Sequence, residues 1–173
     1  MFRQLVPTGA ALAAILIASG CSSSSGNSDD SDNNDASGNA SLEGKAADGY
    51  LAGARVCLDL NNNSSCDDGE PTTTTSAGGG YTLEGVTQEQ IANSPIVVEI
   101  IVGETIDEDN PGETIDKTYT LTAPAGSAFV SPLTTMVQNE IKENGLSPDE
   151  AKASIQARLG TELDPTEDLS LIH

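Results

Sequence analysis

Hydrophobic positions between residues 44 and 125 come in short runs separated by turn-forming residues, a pattern typical of β structure. Residues 95–102 are the most apolar run and predict a strand covered on both faces. Residues 118–122 alternate instead, so Tyr119 and Leu121 are predicted to face inward. Further strands are predicted at residues 50–58, 72–75 and 81–83. Short strands in this number indicate a β-sandwich over residues 44–127.

The hydrophobic period becomes helical between residues 128 and 160. Ser131 and Pro132 predict the N-cap and first residue of one helix, and Gly145 its end. Ser147 and Glu150 have the spacing of a capping box that starts a second helix. The apolar faces of the two helices would consist of Leu133, Met136, Val137 and Ile141, then Ala151, Ile155 and Leu159. The prediction is an α-helical hairpin followed by an irregular tail over residues 161–173.

Residues 1–20 have the layout of an export signal, with Arg3 before an apolar run that is too short to span a bilayer. The segment Ala18-Ser19-Gly20-Cys21 resembles the lipobox of bacterial lipoproteins. That resemblance implies a lipid on Cys21 and attachment to the cell envelope, with the following serine favouring the outer membrane. An ordinary secretory signal cut nearby, which would leave Cys21 unmodified, is the alternative.

Composition supports a tethered, exported protein. Residues 21–43 are rich in Ser, Asn, Asp and Gly and predict a disordered acidic tether after the lipidated cysteine. The chain carries 27 acidic and 7 basic residues, a formal net charge of −20. Such a charge disfavours nucleic acid and favours cations or basic partners. Cys57 and Cys66 are predicted to form a disulfide in an oxidising compartment, and two buried thiols are the alternative.

The stretch from Asp59 to Glu70 has the oxygen spacing of a calcium loop. Side-chain oxygens recur at positions 1, 3, 5, 9 and 12, and position 7 offers the Ser65 carbonyl. Two features depart from an EF-hand: Ser64 replaces the usual glycine at position 6, and the flanks look like strands. A metal-free turn is the alternative. The predicted calcium ligands are Asp59, Asn61, Asn63, Ser65, Asp67 and Glu70.

The segment DGYLAGARVCLDLNNNSSCDDGEPTTTTSAGGGYTL, residues 48–83, resembles carboxypeptidase-regulatory-like and transthyretin-like β-sandwich modules. It is also similar to the calcium-binding B repeats of serine-aspartate-repeat adhesins. Together with FVSPLTTMVQNEI, residues 129–141, it looks like proteobacterial lipoproteins. The resemblance implies a mainly β fold: a small immunoglobulin- or transthyretin-like sandwich followed by the helical hairpin.

A five-residue repeat, Gly-Glu-Thr-Ile-Asp, occurs at residues 103–107 and again at 112–116. The two copies are predicted to flank a hairpin tip, each with its isoleucine facing inward. The carboxylates around this tip leave two interpretations open, a solvated acidic loop and a second cation site.

The sequence favours a non-enzymatic function. The sole histidine is His173, and no nucleophile elbow, phosphate loop or histidine-rich metal set is present. The expected function is a structural or adhesion-type module anchored in the envelope. The alternative is a ligand-binding module for a carbohydrate or a partner protein. Because sugar sites use exposed aromatic side chains, exposure of both Tyr50 and Tyr81 on one face would favour that alternative.

Overall fold

The computed structural model describes residues 40–113 and 115–169, and within these ranges lie nine strands and three α-helices. The predicted signal peptide, Cys21, most of the predicted tether and His173 lie outside the described residues. The strands are β1 (Ala40–Ala46), β2 (Leu51–Ala52), β3 (Arg55–Leu58), β4 (Thr72–Thr74), β5 (Gly80–Val86), β6 (Ile96–Glu99), β7 (Ile106–Asp107), β8 (Thr120–Ala123) and β9 (Phe129–Val130). The helices are α1 (Gln88–Asn93), α2 (Pro132–Asn144) and α3 (Pro148–Leu159).

The strands form three sheets. The largest has four antiparallel strands in the order β4-β3-β6-β8, with Val56 opposite Val98. A second has the order β5-β1-β9, in which β1 pairs antiparallel with β5 and parallel with β9. The third consists of β2 and β7. The described part thus combines several sheets with three helices, at about equal strand and helix content, and α2 and α3 follow the strands as predicted.

One buried cluster collects side chains from both larger sheets. Leu42 and Leu83 contribute from β1 and β5, and Val56 and Val98 from β3 and β6. Ile96, Val97 and Val98 of β6 are all buried, as the apolar run predicted for a strand covered on both faces. Because the aromatic side chains are few, aliphatic burial provides most of this core.

Three local features differ from the sequence-based expectation. Residues 40–43 fall within the predicted tether, yet they form the first part of β1, because Leu42 turns inward between exposed neighbours. The predicted strand at 50–58 is divided into β2 and β3 by Gly53, whose φ is +78°. Helix α1 was not predicted, although Thr87 and Gln90 form a capping box at its start.

Helices α2 and α3 lie where the pattern predicted them. Capping boxes begin both, at Ser131 and Ser147, and left-handed glycines end both, at Gly145 and Gly160. Val137, Ala151 and Ile155 are buried between the two helices. Leu159, predicted on the apolar face of α3, is 49% exposed because it is the last residue of the helix. Across residues 40–113 and 115–169, no helix has the length and apolar character needed to cross a membrane.

Helix α2 is joined to the sheet at the edge strand β8. The outward-facing N–H of Thr122 donates to Thr135 Oγ1 at 2.9 Å, and its carbonyl accepts from Thr134 Oγ1 at 2.8 Å. Two hydroxyls in the first turn of α2 thus satisfy backbone groups that an adjacent strand would otherwise pair. This contact fixes the start of the helical hairpin on the sheet.

Candidate functional site

The predicted calcium loop connects β3 to β4 and begins at a buried residue. Asp59 is 1% exposed, and its backbone N–H donates to the Pro95 carbonyl at 2.9 Å. Asn62 and Ser64 have positive φ values of 59° and 67°. Ser64 occupies position 6, where an EF-hand requires a sharp turn and normally uses glycine. The loop therefore makes that turn with a serine.

The Asp59 carboxylate faces the inside of the loop. Its Oδ1 accepts the Asn63 N–H at 3.1 Å, and its Oδ2 accepts the Ser64 N–H at 2.7 Å. These two hydrogen bonds from backbone N–H groups curl the chain around the Asp59 carboxylate. The sequence-based placement of Asp59 as the first residue of a curled loop agrees with this geometry.

Two asparagine side chains converge on Asp67. The Nδ2 groups of Asn61 and Asn63 donate to the same oxygen, Asp67 Oδ2, at 2.8 and 2.6 Å. The hydrogen bonds from Asn61 and Asn63 lower the pKa of the Asp67 carboxyl from its ordinary value. The amide groups of Asn61 and Asn63 thus both contact one carboxylate oxygen, Asp67 Oδ2.

Glu70 closes the loop at its far end. Its Oε1 accepts the Leu60 N–H at 2.9 Å, and its Oε2 accepts the Asp67 N–H at 3.0 Å. Both oxygens point into the loop, as expected of the position-12 residue of a calcium loop. In this structure both Glu70 oxygens accept hydrogen bonds from backbone N–H groups of the loop itself.

Ser65 and Cys66 tie the loop to the sheet through Glu99, a residue that the sequence analysis missed. Ser65 Oγ and the Cys66 N–H both donate to Glu99 Oε1, at 3.2 and 2.8 Å. Glu99 Oε2 lies 3.6 Å from Arg55 Nη1. Glu99 is the one acidic residue in the apolar run of β6, and this is the only feature of the sequence that could have indicated its role in holding the loop.

The predicted disulfide is confirmed. Cys57 and Cys66 are bonded at 2.05 Å, with their Cα atoms 5.6 Å apart. Both cysteines are buried beside Val97. Because Cys57 lies on β3 and Cys66 within the loop, the bond fastens the loop across the face of the sheet.

The loop has the oxygens of a cation site but not a cluster of acidic ligands. Within residues 40–113 and 115–169, no group of three His, Cys, Asp or Glu side chains is arranged to hold a metal ion. Three of the predicted ligands, Asn61, Asn63 and Ser65, belong to other residue types. Rotating the amides of Asn61 and Asn63 by half a turn about Cβ–Cγ would bring their oxygens to where their nitrogens now meet Asp67. In that rotamer the loop would offer a cation carboxylate, amide and carbonyl oxygens, and it would lose the hydrogen bonds that Asn61 Oδ1 and Asn63 Oδ1 accept from the N–H groups of Asn63 and Ser65.

A lysine from α2 reaches the rim of this loop. Lys142 Nζ donates to Ser64 Oγ at 2.8 Å. This contact spans from the helical hairpin to the turn at position 6 of the loop. The loop is thus held by the sheet through Glu99 and by α2 through Lys142.

The repeated Gly-Glu-Thr-Ile-Asp segments are not equivalent. Ile106 of the first copy is 46% exposed, while Thr105 is buried, so the inward orientation predicted for Ile106 is wrong. Ile115 of the second copy packs against the core. Asp107 accepts the Asp109 N–H and the Asn110 Nδ2 group, and Glu108 accepts the Gly78 N–H. Asp107 therefore shapes its own loop, and Glu108 joins that loop to the turn at Gly78.

Tyr50 and Tyr81 are not both exposed on one face of the protein. Tyr81 is 5% exposed and belongs to the core, whereas Tyr50 is partly buried. The condition set for a carbohydrate site, exposure of both tyrosines on one face, is not met.

Comparisons with protein-family models, with curated proteins and with solved structures find no match for this chain. The interpretation of the loop consequently rests on its own geometry.

Proposed function

We propose that this protein is a non-enzymatic structural or adhesion-type module of the bacterial cell envelope whose loop 59–70 binds one calcium ion. The observation that carries the proposal is the convergence of Asn61 and Asn63 on Asp67 inside a loop that Glu70 closes. The positive φ of Ser64, at the position where a calcium loop turns sharply, adds support.

The proposed ligands satisfy the chemistry of calcium, a hard ion that takes six to eight oxygens. They are Asp59, Asn61, Asn63, Asp67 and Glu70 through their side chains and Ser65 through its carbonyl. When bound, the ion would supply a cross-link between the two ends of the loop. The disulfide and the Glu99 contacts already restrict the loop, which reduces the entropy lost on binding.

Thermal unfolding of the full chain in calcium, in magnesium and in a chelator tests the ion. Extracellular sites bind calcium with a Kd of about 10⁻⁴–10⁻³ M, so about 10 mM calcium should raise the Tm by roughly 3–10 °C. Magnesium should raise it less, because it demands six ligands in tight octahedral geometry.

Asp67→Asn and Asp68→Asn form a matched pair for this experiment. Both remove one negative charge from adjacent positions, but Asp68 is exposed and is not a proposed ligand. Asp67→Asn should abolish most of the calcium-dependent shift, and Asp68→Asn should retain it. A wild-type Tm that calcium leaves unchanged, or equal losses in the two variants, would show that the loop is a metal-free turn.

The proposal includes an immunoglobulin- or transthyretin-like sandwich formed by the two larger sheets. The cluster that buries Leu42 and Leu83 of one sheet with Val56 and Val98 of the other supports this arrangement. The sandwich would present the calcium loop at one end of the four-stranded sheet, at the junction of β3 and β4.

Attachment through a lipid on Cys21 places the module at a membrane, in keeping with the lipobox-like segment 18–21. Cys21→Ala should move the protein from the membrane fraction to the soluble fraction. The Cys57→Ser/Cys66→Ser variant is the control, since it removes cysteines but should stay with the membrane. Mass spectrometry of the intact protein measures the acyl groups directly. A Cys21→Ala protein that remains in the membrane fraction would contradict the lipid anchor.

A further inference from the structure

A cavity of about 580 Å³ lies between the β8–β9 connection and the segment that follows α3. Lys45 and Phe129 line it from the sheet, Pro148 and Lys152 from α3, and Thr166 and Glu167 from the C-terminal segment. This volume falls within the range of small-molecule sites in proteins. The cavity is separate from the calcium loop, with which it shares no lining residue.

The C-terminal segment forms one wall of the cavity and is fixed at both ends. Lys152 Nζ lies 3.2 Å from Asp164 Oδ2, and Asp164 Oδ1 accepts both the N–H and the hydroxyl of Thr166. Further along, the Tyr50 hydroxyl donates to Asp168 Oδ2 at 2.9 Å. These contacts hold residues 164–168 in place, so this segment forms a well-defined wall of the cavity.

Four charged side chains line the cavity, and other side chains of the protein engage two of them, Lys152 and Asp168. Lys152 is paired with Asp164, and Asp168 accepts from Tyr50. The Lys45 ammonium lies over the ring of Tyr50, 5.2 Å from its centroid, and forms no ion pair with another described side chain. The Glu167 carboxylate likewise has no cationic partner in the described part of the chain. The cavity therefore offers one positive and one negative group to a ligand.

Between these charges the lining is largely apolar. Phe129, Pro124, Ala125 and Pro148 supply hydrocarbon surface. A ligand that carries one carboxylate, one ammonium and a small apolar body matches this arrangement. A simple anion matches it less well, because Glu167 and Asp168 line the same cavity and the chain as a whole has a net charge of −20.

We infer that this cavity binds a small zwitterion of the amino-acid or dipeptide class. The ligand carboxylate pairs with Lys45, the ligand ammonium pairs with Glu167, and the side chain packs towards Phe129. This binding does not depend on calcium and goes beyond the proposed structural function.

Isothermal titration of the full chain with three probes tests the inference: the dipeptide Ala-Leu, its N-acetyl form and its C-terminal amide. Each blocked form lacks one of the two charges. We expect Ala-Leu to bind at micromolar to millimolar concentration and each blocked form to bind about five- to tenfold more weakly. A chelator should leave these affinities unchanged, so failure of the calcium proposal would not affect this result.

Variants assign each charge to its partner. Lys45→Gln should weaken Ala-Leu about five- to tenfold while leaving the amide unchanged, and Glu167→Gln should weaken Ala-Leu while leaving the N-acetyl form unchanged. Lys117→Gln and Glu162→Gln, which alter charges outside the cavity lining, are the controls and should bind like the wild type. Absence of binding by Ala-Leu at about 5 mM, or equal binding of all three probes, would overturn the inference.

Discussion

Glu99 Oε1 accepts the backbone N–H of Cys66 at 2.8 Å, which joins the centre of the four-stranded sheet to the middle of the candidate loop. The same oxygen accepts from Ser65 Oγ, and the other carboxylate oxygen faces Arg55. The Glu99 carboxylate therefore interacts with a backbone N–H, a hydroxyl and a guanidinium group. Together with the Cys57–Cys66 disulfide, this carboxylate holds the loop on the sheet.

Replacing Glu99 should destabilise the fold. Glu99→Ala leaves the Cys66 N–H without its acceptor and Arg55 without its partner, so the free energy of unfolding should fall by about 2–3 kcal/mol. Glu99→Gln keeps a neutral acceptor and should lose roughly half as much. Urea unfolding of both variants measures the difference. Equal losses for alanine and glutamine would assign the effect to packing and not to the hydrogen bonds.

Removing the disulfide should destabilise the protein without changing the sheets. The Cys57–Cys66 bond closes a loop with a sequence separation of 9, for which chain entropy predicts about 2–3 kcal/mol. Cys57→Ser/Cys66→Ser should therefore lower the Tm by roughly 5–15 °C, and reductant should lower the wild-type Tm by a similar amount. The double variant itself should be insensitive to reductant. A wild-type Tm unaffected by full reduction would contradict the prediction.

Gly44 should not tolerate a side chain. A Cβ at this position would overlap the Tyr81 hydroxyl and lie 2.6 Å from the Ala128 carbonyl oxygen, which is backbone and cannot rotate away. Gly44→Ala should lower the free energy of unfolding by about 1–3 kcal/mol or more. Gly80→Ala is the matched control in the same sheet, since its Cβ would meet only Ser76 Oγ at 3.4 Å. Comparable unfolding midpoints for the two variants would argue against this close packing.

Alkaline pH should destabilise the fold through Tyr119. Burial, together with the nearby Asp48 and Asp107 carboxylates and the hydrogen bond to Asp48, raises the pKa of Tyr119 to about 12. The unfolded phenol has a pKa of about 10 and releases its proton first. The stabilisation is complete below pH 10 and is lost as the pH rises from 10 to 12.

Ultraviolet titration of the tyrosines near 295 nm measures this effect. Asp48→Asn removes the carboxylate that accepts from the Tyr119 hydroxyl, so the Tyr119 transition should move to lower pH. Tyr119→Phe should reduce the decline in stability between pH 10 and 12, and the remainder comes from Tyr81, whose pKa burial also raises. A Tyr119 transition that Asp48→Asn leaves in place would show that Asp48 does not contribute to the raised pKa.

The sequence predicts features that depend on neighbours along the chain. The capping residues Ser131 and Ser147 act within five residues, and so do the contacts that Asp59 makes with Asn63 and Ser64. Helices α2 and α3 and the curled candidate loop could therefore be predicted from spacing alone. The disulfide was predictable because its two cysteines are close in sequence and the N-terminal pattern predicts export to an oxidising compartment.

Features that depend on distant parts of the chain were not predictable. Glu99 lies 33 residues from Cys66, and no local pattern indicates their contact. Ile106 is exposed and Thr105 is buried because Thr105 Oγ1 contacts the Gly53 carbonyl, 52 residues away in sequence. The cavity beside Lys45 likewise arises from segments that meet only in the folded chain. Tertiary contacts thus override periodicity at these positions.

The hydroxyls of Thr134 and Thr135 have a consequence for behaviour at high local concentration. A sheet edge with open N–H and C=O groups can recruit a strand from another molecule and seed aggregation. At Thr122 those groups are occupied by the first turn of α2. The start of the helical hairpin thereby covers the edge of the sheet at Thr122. This cover disfavours edge-to-edge pairing of β8 between neighbouring copies of the chain.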